Sequence, residues 1–110
     1  MLRSVLLLDD DAYFHRIVTP ALRAQEVRLL HAYSLAEADS ILEDAKVDAM
    51  IVDGHLPDGD GDAWVMGRRN RGDRTPVIFV SAFERMLDVL RRRLDVLQPT
   101  VLVSKPIVPT

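Results

Sequence analysis

The sequence predicts an α/β domain, a parallel sheet wound with helices on both faces. Three observations carry that expectation. Strand-like and helix-like segments alternate along the whole chain, which implies right-handed βαβ connections. The strand-like segments are short continuous apolar runs, as strands buried on both faces are. And 110 residues, 48% of them apolar, suffice for one compact core, so general disorder is not expected.

Each element follows from local pattern. Ser4–Leu8 (SVLLL) reads as a buried first strand. In Ala12–Gln25 the apolar positions Phe14, Ile17, Val18, Ala21 and Leu22 have helical spacing, and Pro20 should kink or shorten that helix. Val27–Ala32 is a second, weaker strand. Ser34-Leu-Ala-Glu37 is a capping box that opens the helix Leu35–Ala45, with Leu35, Ala38, Ile41, Leu42 and Ala45 in one stripe. Asp48–Asp53 (DAMIVD) is the third strand. A glycine-rich loop follows, stiffened by Pro57, with Asp58 and Asp60 as loop and helix-start residues. Gly61 leads into a short helix around Ala63–Arg69. Pro76–Ser81 (PVIFVS) is the fourth strand. Glu84–Leu97 is helical, with Met86, Leu87, Leu90, Leu94 and Leu97 on one side, and Thr100–Val103 is the fifth strand.

Composition excludes several classes. With 14 Lys plus Arg against 17 Asp plus Glu, the net charge is −3, which argues against a nucleic-acid protein. The arginines Arg68, Arg69 and Arg71, and the run Arg91-Arg92-Arg93, read as solvated, the latter with Asp88 or Asp95 as occasional partners. The absence of cysteine excludes disulfides and thiolate metal sites. The apolar start of the chain is too short for a signal peptide or membrane span, so a soluble cytoplasmic domain is the expectation.

In an open parallel sheet, ligands sit at the carboxyl ends of the strands. Here those ends carry Asp9, Asp10 and Asp11 after the first strand, Asp53 on the third, Ser81 on the fourth and Lys105-Pro106 after the fifth. Taken singly, an Asp after a strand is a turn former or helix cap, and Asp11 fits that role. A lone Lys is a surface residue. Jointly the groups have compatible chemistry. Close carboxylates repel and call for a hard, oxygen-seeking cation such as Mg2+. A hydroxyl and an ammonium suit phosphoryl oxygens.

At this point the chain resembles the receiver domain of two-component response regulators, the family of the single-domain chemotaxis regulator. The resemblance covers residues 3 to 107 and rests on VLLLDDD (5–11), IVDGHLPDGDG (51–61), VIFVSA (77–82) and VSKP (103–106), in order and at matching spacing. It implies a flavodoxin-like doubly wound five-stranded parallel sheet of order 2-1-3-4-5. It implies Asp53 as phosphoacceptor, and Asp9, Asp10, Asp53 and the backbone carbonyl of His55 as Mg2+ ligands. Ser81 and Lys105 would bind the phosphoryl group, and Lys105–Pro106 becomes a candidate cis bond. The function implied is a phosphoprotein module of a signal-transducing phosphorelay. It would take phosphoryl from a sensor histidine kinase or phosphotransfer protein, switch conformation and slowly dephosphorylate itself. It is no enzyme beyond that chemistry on itself. A homodimer through helix 84–97 and strand 100–103 is the further partner expected, with no direct nucleic-acid contact and no membrane.

The chain also departs from the family's pattern. Leu102 stands where an aromatic residue is common, so the signal is expected to pass differently or the switch to be shallow. His55 and Phe83 flank the path of the attacking water. The side chain of His55 is an exposed loop group, since Mg2+ prefers oxygen. After KPIVPT the family has a fifth helix. Residues 1–110 thus read as one receiver domain truncated before its last helix, leaving the sheet face beside strand five bare or for a partner. Three other readings compete. An unphosphorylated pseudo-receiver acting as an interaction or dimerisation domain is opposed by the complete set of site residues. A phosphohydrolase would carry a second Asp where His55 stands. A flavodoxin-like cofactor binder would not place three acids in its first turn.

Overall fold

The computed structural model describes residues 3–81, 91–92 and 94–104. Their order is β1 (Arg3–Leu8), α1 (Ala12–Arg23), β2 (Val27–Ala32), α2 (Leu35–Asp44), β3 (Ala49–Asp53), β4 (His55–Leu56), β5 (Gly59–Asp60), α3 (Gly61–Asn70), β6 (Val77–Ser81), α4 (Leu94–Leu97) and β7 (Thr100–Ser104). The long strands form one five-stranded sheet, β2-β1-β3-β6-β7, parallel at every junction. Counting long strands only, this is the expected order 2-1-3-4-5.

The alternation of side chains across each strand sorts the core into two layers. Leu6, Leu8, Met50, Val52, Val77 and Phe79 share one buried cluster with Ala38 of α2, Val65 of α3 and Leu97 of α4. The intervening Leu7, Ile51 and Val80 point the other way and pack with Phe14 of α1. Continuous apolar runs are therefore required, because both faces of β1, β3 and β6 are covered along most of their length. Leu102 of β7, in place of the expected aromatic ring, is half-buried against the first cluster.

Helix starts obey the sequence signals. Asp11 caps α1, its carboxylate accepting from the amides of Tyr13 at 2.9 Å and Phe14 at 3.4 Å. Ser34 caps α2 through the Glu37 amide at 3.1 Å, while the Glu37 carboxylate reaches back to the amide of Tyr33 at 3.0 Å. Pro20 does not break α1. The helix runs three residues further and ends at Arg23, two short of the expected Gln25.

Several expectations need correction. The loop after Asp53 contains a two-stranded hairpin, with His55 opposite Asp60 and Leu56 opposite Gly59. Its tip is Pro57-Asp58, and Gly59 has φ 148°, a region glycine adopts freely. Asp58 is more than a loop residue: its carboxylate accepts from the amides of Leu35 at 2.9 Å and Ala36 at 3.0 Å, a second cap on α2 supplied from across the molecule. These hydrogen bonds, Leu35's first, lower the Asp58 pKa. The following helix starts at Gly61, not Ala63. The expected helix Glu84–Leu97 lies largely outside the described residues, as do Phe83, Lys105, Pro106 and most of its apolar stripe. Leu97, which is described, is fully buried, and Arg91 and Arg92 are exposed. A cis peptide bond among the described residues is Gln98–Pro99.

The arginines of α3 are not all solvated. Arg69 is only 8% exposed. Its guanidinium donates to three carbonyls: Leu97 at 3.2 Å, Asp73 at 2.9 Å and Pro99 at 3.1 Å. Arg68 is half-buried and donates to the Asp73 carboxylate at 2.7 Å. Burial opposes ionisation of Asp73, but hydrogen bonds from the Thr75 hydroxyl and amide and from Arg68 overcome it and hold its pKa at about 2, against 3.8 ordinarily. A depressed carboxyl pKa stabilises the fold above the unfolded value, and that contribution is lost as the pH falls through the folded one. Asp73→Asn is therefore expected to cost on the order of 2 kcal/mol at neutral pH. It should also flatten the loss of stability between about pH 4 and pH 2, read from urea midpoints across that range. An unchanged acid limb would contradict this assignment.

Candidate functional site

Parallel pairing places the ends of β1 and β3 side by side, since Leu8 is in register with Val52. Asp9 and Asp10 follow β1, and Asp53 ends β3. One carboxylate oxygen from each of the three lies within 4.8 Å of the other two. Asp9 is buried, Asp53 half-buried and Asp10 exposed, so the cluster is a pit open on one side. Three carboxylate oxygens at this spacing are a donor set that fits a hard divalent cation such as Mg2+.

Asp9 and Asp53 are held by backbone contacts. The Asp9 amide donates to the Ala32 carbonyl at 3.1 Å, and its carboxylate accepts the Asp11 amide at 2.9 Å. The Asp9 carbonyl accepts Nε2 of His15 at 2.8 Å. The Asp53 carboxylate sits 3.5 Å from the amide of His55. The following turn is closed by the Gly54 amide to the Val80 carbonyl and the Gly61 amide to the Gly54 carbonyl. Gly61 comes so close that a methyl group there would sit 2.0 Å from the carbonyl oxygen of Asp53 and 2.9 Å from a methyl of Val52. Its role is close approach to the acidic strand end, which sequence reasoning had read as a mere exit into the helix.

The other predicted groups divide. Val80 is in register with Asp53, so Ser81 follows on the neighbouring strand, itself paired with Ser104 of β7. The backbone thus brings Ser81 to the same sheet edge as Asp53, and the residue after Ser104 is Lys105, which lies outside the described residues. The imidazole of His55 is exposed and its Nδ1 is 3.7 Å from the Asp60 carboxylate, so it stands on the hairpin. A separate cavity of about 300 Å³ opens at the sheet edge beside Thr19, Arg23, Glu26, Arg28 and His31. It contains none of the three clustered acids.

Comparison with known proteins decides the family. The profile of the response regulator receiver domain matches residues 5–109. The chain belongs to that family. This receiver is 30% identical over 83 residues to the swarming motility regulation protein RssB of Serratia marcescens, across 76% of the chain and 38% of that protein. It is 28% identical over 89 residues to the Regulator of RpoS of Escherichia coli K12, across 81% of the chain and 26% of that protein. The receiver thus spans between a quarter and two fifths of the length of these relatives. Among solved structures, the signal receiver domain of a LuxO repressor protein from Vibrio parahaemolyticus superposes with a TM-score of 0.86 at 20% identity, covering 98% of this chain and 82% of that one. The chemotaxis response regulator CheY4 of Vibrio cholerae gives 0.83 at 20% identity, covering 97% and 89%. These likenesses show the flavodoxin-like receiver fold. Among the described residues, no helix is long and apolar enough to cross a membrane.

Proposed function

We propose that residues 1–110 form one cytoplasmic phosphoacceptor domain in which Asp53 is the nucleophile of a Mg2+-dependent phosphorelay. The observation that carries this reading is the convergence of the Asp9, Asp10 and Asp53 carboxylates at the carboxyl edge of β1 and β3. When bound, Mg2+ would supply positive charge to the transferring phosphoryl group. Asp9, Asp10, Asp53 and the His55 carbonyl would hold it.

The chain's own groups do the rest. A carboxylate oxygen of Asp53 forms the new bond to phosphorus while the phosphorus–nitrogen bond to the donor's histidine breaks, its electron pair returning to the imidazole. The buried strand beneath Asp53 limits the carboxylate's freedom, so the oxygen is presented in one direction. Ser81 and Lys105 would bind the equatorial oxygens. The donor is a sensor histidine kinase or phosphotransfer protein. Water reaching the same site would hydrolyse the acyl phosphate and end the signal. A homodimer through residues 84–97 and 100–103 is the further assembly this reading includes.

Peptide mapping after incubation with phosphoramidate and Mg2+ tests the assignment. Modification is expected on Asp53 alone. Modification of Asp9 or Asp10, or of no residue, would overturn it and in the last case favour a pseudo-receiver.

A further inference from the structure

His15 is a buried titratable group that the proposed chemistry does not use. It lies in the first turn of α1 and is 3% exposed. Its Nε2 is 2.8 Å from the Asp9 carbonyl oxygen, and its Nδ1 is 2.7 Å from Nδ1 of His31 on β2. The ring of Tyr33 stacks on it at 4.2 Å with an interplanar angle of 21°. Contacts from the end of β1, from β2 and from the turn after β2 thus fix one imidazole against the backbone of an acid in the cluster.

The proton positions follow from donor and acceptor accounting. A carbonyl oxygen only accepts, so Nε2 of His15 carries the hydrogen. The short contact between the two Nδ1 atoms requires one of the two rings to donate and the other to accept. His31 therefore holds the His15 ring in place, as an outer partner orients a histidine at metal sites. Burial, and then the neighbouring His15, lower the pKa of His31.

The consequence falls on Asp9. Past the end of β1, its amide still pairs with Ala32, but its carbonyl is taken by His15 in place of a strand partner. A buried carbonyl without a partner would turn to find one, and the peptide plane would carry the side chain with it. We infer that His15 is a positioning residue for the cation site: with its ring held by His31 and Tyr33, it fixes the Asp9 peptide and so aims the Asp9 carboxylate at the cluster. This inference rests on the Mg2+ reading above and adds the group that organises it.

The test compares wild type, His15→Phe and His15→Gln. Phenylalanine keeps a ring against Tyr33 but has no donor. Glutamine restores an N–H near the position of Nε2. Mg2+ affinity is read by calorimetry and folding by melting in EDTA. His15→Phe is expected to melt as a folded protein and to bind Mg2+ about tenfold more weakly. His15→Gln should recover most of the affinity. Unchanged affinity in folded His15→Phe, or no recovery in His15→Gln, overturns the inference while leaving the phosphoacceptor reading standing. Failure of the wild type to bind Mg2+ overturns both. Nitrogen-15 spectra of the wild-type imidazoles provide a readout that needs no variant. His15 is expected as the Nε2–H tautomer with a slowly exchanging ring proton, and an Nδ1–H tautomer would overturn the inference.

Discussion

Gly61→Ala is expected to lose about 3 kcal/mol of stability, although it adds one methyl group. The methyl would sit 2.0 Å from the Asp53 carbonyl oxygen, a backbone atom that cannot swing away as a side chain could. Relief requires α3 or the end of β3 to move. The Gly61 amide is also bonded to the Gly54 carbonyl at 3.0 Å, so such a shift loosens the turn directly after Asp53. The melting temperature should fall by about 10 °C or more. Phosphoryl uptake per folded molecule should slow about tenfold, because displacing a nucleophile by a fraction of an ångström is costly. An alanine variant that melts with wild type would show that the strand end can give way, and would contradict the close-approach account. Gly67, inside the same helix with nothing within 4 Å of an added methyl, is the control. Alanine there is expected to be neutral or slightly stabilising.

Arg69→Met should be comparably damaging. Methionine keeps much of the apolar stem but removes all the donors. The carbonyls of Leu97, Asp73 and Pro99 would each lose a partner, and Leu97 is fully buried. A loss of about 3 kcal/mol follows, because three bonds from a buried charged donor go, although the Leu97 carbonyl keeps the Thr100 hydroxyl and the Pro99 carbonyl keeps the Val77 amide. Arg69→Lys should recover less than about half of it, since an ammonium cannot match the fork that reaches three carbonyls from one plane. Urea midpoints measure both. A methionine variant within about 1 kcal/mol of wild type would mean that water replaces the guanidinium at no cost. Two of these carbonyls, those of Leu97 and Pro99, lie just before β7. The same variant therefore tests whether α3 anchors the start of that strand.

Residue type and position account for what could be read in advance. The alternation of apolar runs and helical stripes gave the five long strands in order, and Val27–Ala32 matched residue for residue. Parallel pairing then puts all strand ends on one edge, so Asp9, Asp10 and Asp53 had to converge once the order was known. What escaped depends on contacts distant in sequence. Arg69 looked solvated because three arginines lie close together in sequence. Its burial is set by carbonyls 28 and 30 residues away. The cap from Asp58 to α2 spans 23 residues and has no local signature. The hairpin at 55–60 could have been found, because Pro-Asp-Gly is a turn signal. His15 left a fainter trace: with Val18 and Leu22 it falls on the inner stripe of α1, where a polar side chain needs a buried partner.

The most direct test of the central claim is the intact mass of the chain after incubation with acetyl phosphate and Mg2+. The account predicts one added phosphoryl group on the wild type, none on Asp53→Asn, and none when EDTA replaces Mg2+. A wild type that gains no mass, or an Asp53→Asn variant that gains as much, would contradict it.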